Sequence, residues 1–163
     1  MRRIFGEIIN EIANKDKKVI LIAGEIGYGI LDKIRKNNPK RFFNLGICEQ
    51  SIIGFASGMA LQGLKPWVYT ITPFLIERPF EQIKLDIDQQ KSNVKLVGFA
   101  DYPTLGPTHS ELNAKKMMNL FKNIKSHFPK DSKQTKQIVN KCYKISGPTF
   151  ISLKTDKKII KKF

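Results

Sequence analysis

Short apolar runs alternate with longer amphipathic segments along almost the whole chain, and this alternation limits the fold more than any other feature. VILIAG at 19–24, PWVYTI at 66–71, NVKLVGFA at 93–100 and PTFISL at 148–153 are too short for buried helices and are apolar on both alternating faces. Strands of parallel sheets read this way because helices cover both their faces. RFFN at 41–44 and 123–128 are weaker strand candidates. Between them the spacing predicts helices over 3–14, where Ile4, Ile8, Ile9 and Ile12 share one face, and over 49–61, closed by Gly63. Further helices are expected over 79–89, 111–122 and 133–144, with a short one ending at Asn37-Asn38-Pro39. Strands joined by helical crossovers define an α/β fold, a mostly parallel sheet with helices on both faces.

The 163 residues suit one domain, expected over 1–163 with a basic tail at 155–163. No window reaches the ~20 apolar residues of a membrane span. The N-terminus carries an Arg pair without the apolar block of a secretory signal. Two cysteines are too few for a disulfide framework or a tetrahedral zinc site. A soluble, cytoplasmic protein without a membrane partner is the expectation. The net charge of +15 invites a nucleic-acid reading, yet residues 1–114 carry only +3 and 115–163 carry +12. That excess is lysine, with no arginine after Arg78. Readers of base edges favour arginine forks, so nucleic acid is disfavoured and a solvated lysine face or an acidic partner protein is preferred.

Ligands of such sheets bind beyond the carboxyl ends of the strands, and the unusual residues gather there. Glu49 and Gln50 open a helix after a strand; the carboxylate could simply oppose the helix dipole, worth ~0.3–1 kcal/mol. Gly54 and Gly58 lie four apart inside the same helix, each costing ~1 kcal/mol relative to alanine. A closely approaching helix, from this chain or a second one, would justify them. Phe74 follows Pro73 in a connection, and Arg78 precedes Pro79 with Glu77 and Glu81 as ready ion-pair partners. His109 closes a Gly106-Pro107-Thr108-His109 turn. His127 has no chemical company and reads as structural or surface.

Together, N-x-G-x-x-E-Q opening a Gly-rich helix, Phe74 beyond the next strand, E-Q-I-K-x-D, V-K-L-V-G and G-P-T-H follow one another over Val19 to Leu120. This order resembles the pyrimidine-binding domain of the transketolase family of thiamine-diphosphate enzymes, and GPTFISL resembles its closing strand. The resemblance implies that Glu49 is the catalytic glutamate at the pyrimidine ring nitrogen and that Phe74 stacks on that ring. It implies cofactor-side roles for Arg78 and Phe80, and a catalytic role for His109 facing cofactor and substrate. Glu25 stands where many relatives carry an aspartate near the cofactor. The family often has an acidic residue shortly after the T-H pair, where Asn113-Ala114-Lys115 stand here.

The family anchors Mg²⁺ and the diphosphate through a G-D-G motif on a separate domain, and no G-D-G occurs in this sequence. The resemblance therefore implies the pyrimidine-binding subunit of a split transketolase-like enzyme, transferring two-carbon ketol units between phosphorylated sugars. Its partner would be a diphosphate-binding subunit holding the metal, in a heterotetramer or around a homodimeric core. A non-catalytic relic serving as scaffold or regulator, and a beta-type component of a 2-oxo-acid dehydrogenase-like enzyme, are the alternatives.

Overall fold

A computed structural model describes residues 1–101 and 105–155. Six strands, β1 (Val19–Ala23), β2 (Phe42–Asn44), β3 (Lys65–Ile71), β4 (Lys95–Phe99), β5 (Lys125–His127) and β6 (Thr149–Leu153), form one sheet in the order β2-β1-β3-β4-β6-β5. Every pairing is parallel. The expected parallel α/β architecture is therefore present, with no antiparallel strand among the described residues.

The seven helices found among the described residues are α1 (Arg2–Lys15), α2 (Asp32–Asn37), α3 (Glu49–Leu61), α4 (Thr72–Ile76), α5 (Phe80–Gln82, continuing in wider π turns over Ile83–Gln89), α6 (Ala114–Met118) and α7 (Ser132–Lys144). On one face of the sheet α1, α2 and α7 bury Phe5, Ile9, Ile34 and Val139 against Leu21, Trp67, Val97 and Ile151. On the other, α3, α4, α5 and α6 bury Ile52, Leu75, Ile83 and Met118 against Ile22, Val68, Leu96 and Phe150. Alternate residues of each central strand thus feed different cores, which explains why the strand sequences are apolar throughout.

Three expectations change. A helix, α4, follows β3 without a break where a connection was expected. Its Thr72-Pro73 start fits a first turn, whose N–H groups are unpaired in any case. The helix expected over 111–122 shrinks to Ala114–Met118, because the Asp88 carboxylate takes the N–H groups of Lys122, Asn123 and Ile124 and holds that segment as a turn. Strand 41–44 begins one residue later, after a 3-10 turn at Pro39–Arg41. Tyr102, Pro103 and Thr104, and 156–163 of the expected tail, lie outside the described residues.

Close approach of α4 to the sheet depends on Gly98. A Cβ there would stand 2.5 Å from Thr72 Oγ1 and 3.0 Å from its Cα, so only glycine lets β4 carry α4 at this depth.

At the opposite end of β4, the Lys95 side chain is buried and its ammonium donates to the Ile145 carbonyl at 2.8 Å and the Gly147 carbonyl at 2.5 Å. Burial pushes its pKa down from 10.5 to about 8, with the nearby Cys142 thiol opposing weakly. Between those values the folded chain sheds a proton that the unfolded chain keeps. Stability therefore rises with pH through that window, by up to about 1.4 kcal/mol per pH unit. Urea unfolding of the native chain and of Lys95→Met should show a stability difference that climbs between pH 8 and 10.5. A pH-independent difference would contradict the burial argument.

Candidate active site

The carboxyl ends of β1, β2, β3 and β4 converge on the amino end of α3, where Glu49 occupies the first turn. Its side chain is 5% exposed. Arg78 comes to it from the link between α4 and α5: one guanidinium nitrogen, Nη1, donates to Oε1 at 3.2 Å and to Oε2 at 3.1 Å. The same guanidinium lies against the Phe74 ring, with Cζ 3.7 Å from the ring centre. Phe74, at the middle of α4, is almost buried, and the His109 imidazole meets it edge-on at 4.8 Å and 64°.

His109 owes its position to the 3-10 turn Pro107–His109. Gly106 initiates that turn at φ +88, a region that glycine enters without strain. The His109 N–H returns to the Gly106 carbonyl, and Nδ1 lies 3.1 Å from Thr108 Oγ1. Glu77 then ties the loop beyond His109 back to the site by accepting the Leu112 N–H at 2.9 Å. Glu49, Arg78, Phe74 and His109 thus form one contiguous chain of contacts.

The sequence left Arg78 an ion-pair partner in Glu77 or Glu81. The structure corrects this: Arg78 pairs with Glu49, 29 residues earlier, and Glu77 serves the backbone of Leu112. Glu25 stands apart from the cluster. It adopts φ +49, and its carboxylate accepts from Tyr28 Oη at 3.1 Å and Asn44 Nδ2 at 3.0 Å, while its N–H donates to Asn44 Oδ1. Phe80 faces elsewhere, tilted against Phe121 at 5.1 Å. Glu77, Asn44 and Tyr28 were missed as supports; only Asn44 carried a signal, as the last residue of β2, while Glu77 closes α4 and Tyr28 lies in the turn after β1.

A sequestered carboxylate on a helix amino end, a flat aromatic face beside it and an imidazole at the rim suit a planar ring whose nitrogens exchange protons. The guanidinium already tests that space. It is a planar group of nitrogen donors, and it both lies on Phe74 and hydrogen-bonds Glu49, the two contacts an aminopyrimidine would need. The residues present therefore fit the pyrimidine half of thiamine diphosphate.

Fold and site together define a cofactor-binding domain of the thiamine-diphosphate class, built on a parallel sheet. The chain belongs to the family described as "Transketolase, pyrimidine binding domain", whose model matches residues 1–158. It is 33% identical over 148 residues to one of the subunits of the apulose-4-phosphate transketolase of Actinobacillus succinogenes, covering 89% of this chain and 48% of that protein. It is 32% identical over 155 residues to 1-deoxy-D-xylulose-5-phosphate synthase of Listeria monocytogenes, covering 90% of this chain and 24% of that one. Among solved structures, a split-gene transketolase described as an inactive beta4 tetramer superposes with a TM-score of 0.85 at 30% identity, over 95% of this chain and 50% of that chain. Transketolase from Campylobacter jejuni shares the fold, with a TM-score of 0.81 at 17% identity over 94% of this chain and 25% of that one. The chain spans about half the length of the apulose-4-phosphate transketolase subunits it matches.

Proposed function

We propose that this chain is the pyrimidine-binding subunit of a split, transketolase-like transferase that works only with a diphosphate-binding partner. The observation that carries this reading is the Glu49–Arg78–Phe74 arrangement, in which a buried carboxylate and an aromatic face share one flat, nitrogen-bearing group. Thiamine diphosphate supplies the electron sink for breaking a carbon–carbon bond next to a carbonyl. This chain's residues bind, orient and move protons. Glu49 holds or shares a proton at the pyrimidine ring nitrogen, a role that suits a carboxyl withdrawn from water. Phe74 offers its face for stacking, and Arg78 cedes its place on that ring and turns to the cofactor side. His109 serves as proton carrier at the rim toward substrate. Mg²⁺ and the diphosphate belong to the partner.

The apulose-4-phosphate transketolase relatives, each named as one subunit of its enzyme, support a two-chain enzyme acting on a phosphorylated sugar. The beta4 assembly of the split-gene relative supports association through the subunit's own surface. On this chain that surface is the outward face of α3, where a Cβ placed on Gly54 or Gly58 would meet no atom within 4 Å among the described residues.

Calorimetric titration of the isolated chain with thiamine diphosphate and Mg²⁺ should give little or no binding heat, and binding should emerge once a diphosphate-binding chain is added. Tight uptake by the lone chain would overturn the division of labour.

A further inference from the structure

The segment that carries His109 has little burial to hold it. Pro107, Thr108 and Ser110 are exposed, and Leu105 and Leu112 on either side are 54% and 63% exposed. Its own hydrogen bonds close the turn on itself. His109 N–H and Ser110 Oγ both donate to the Gly106 carbonyl, at 3.1 and 3.3 Å, and Ser110 N–H donates to the Pro107 carbonyl. Glu111 reaches Lys154 at 3.9 Å, too far for a hydrogen bond. The Leu112 N–H is different: it crosses to another element and donates to Glu77 Oε1 at 2.9 Å, a favourable length.

Glu77 is placed to act as a fixed post. It closes α4, donating its own N–H to the Pro73 carbonyl at 2.9 Å, and every residue of that helix is buried. Phe74 stands on the same short helix. One body therefore presents both the ring that meets the imidazole and the carboxylate that anchors the loop behind it. The contact does not need the negative charge. Arg78, next in sequence, turns to Glu49 instead. Glu111, two residues beyond His109, is a like charge: burial raises its pKa, Lys154 opposes the rise, and Asp101 and Glu77 add to it. What the geometry uses is an oxygen that accepts one N–H.

We propose that Glu77 is a positioning residue for His109. By accepting the Leu112 N–H it holds residues 106–112 so that the imidazole stays edge-on to Phe74, and it does so as an acceptor, not as a charge. A neutral acceptor of the same length should serve equally well. The positioning belongs to this chain alone; its consequence for turnover rests on the two-chain reading above, in which His109 carries protons.

The test compares the isotopically labelled native chain with Glu77→Ala and Glu77→Gln by NMR. Two signals are read: cross-relaxation between the His109 and Phe74 ring protons, and solvent exchange of the Leu112 amide. Glu77→Ala is expected to weaken the ring contact and to speed Leu112 exchange about fivefold, the factor that loss of one hydrogen bond brings. Glu77→Gln should keep both at their native values, a rescue that a charge effect would not produce. Amides of the central strands, unshifted in all three chains, mark the variants as folded. Native signals in Glu77→Ala, or a glutamine variant that behaves like alanine, would overturn the proposal. Assembled with a diphosphate-binding subunit and cofactor, Glu77→Ala should lower kcat about fivefold with cofactor affinity unchanged, and Glu77→Gln should not. A fall in kcat with the ring contact intact would also count against positioning. Loss of the ring contact without loss of kcat would leave Glu77 in its role and remove His109 from catalysis, so the two failures are distinguishable.

Discussion

Glu49→Gln, assembled with a diphosphate-binding subunit and saturated with cofactor, is expected to lower kcat by about 10²–10⁴-fold, the range associated with a positioned proton-transfer group. Glutamine preserves the shape of the side chain and, in the cofactor-free chain, can still accept from Arg78, so the arrangement around Phe74 that receives the cofactor survives. It cannot hold or share a proton. The loss should therefore appear in kcat and not in assembly, which sedimentation of the same sample would show unchanged. Glu49→Ala should be equally inactive. Its unpaired Arg78, with a side chain 39% exposed, would regain water and leave the fold intact. A chain kept only as scaffold would tolerate both changes, and full activity in Glu49→Gln would end the catalytic reading. The experiment also separates chemistry from occupancy, because cofactor binding to the assembled variant can be measured in the same titration.

The parts of the molecule legible in the sequence are those whose physics is local. Central strands β1, β4 and β6 are buried along their whole length, so their apolar runs announced them. Edge strands β2 and β5 bury less and carried weaker signals. The order of motifs also marked Glu49, Phe74, Arg78 and His109, which the fold brings into contact. What the sequence concealed depends on residues distant along the chain. The helix expected over 111–122 overran the observed one at both ends; Leu112 and Leu120, in the overrun, are 63% and 69% exposed, and Asp88, from another segment, decides where the turn lies. Arg78 had acidic neighbours in sequence, but spatially its partner is Glu49. Glu25 looked like a cofactor ligand by position, while its φ of +49 and its bonds to Asn44 and Tyr28 arise only when β1 and β2 lie side by side.

Replacing both Gly54 and Gly58 by glutamine should strengthen the isolated chain and abolish its assembly. Glycine inside a helix is unfavourable because the unfolded chain has more freedom to lose, and glutamine is a good helix former. Neither glycine has a neighbour within 4 Å of a Cβ among the described residues, so added side chains enter open space. Each change should then contribute about 0.5–1 kcal/mol to stability in urea unfolding of the lone chain. Nothing within the described fold repays the two glycines, and the surface around them is apolar: Phe55 is 41% exposed, Leu61 64% and Ile47 67%. Bare backbone ringed by such side chains permits another helix to approach closely, and two glutamines would hold that helix off. Light scattering or co-elution with the partner should show the variant failing to associate where the native chain succeeds. A rise in stability with unchanged association would place the interface elsewhere, whereas a loss of stability would mean that these glycines serve a contact inside the fold.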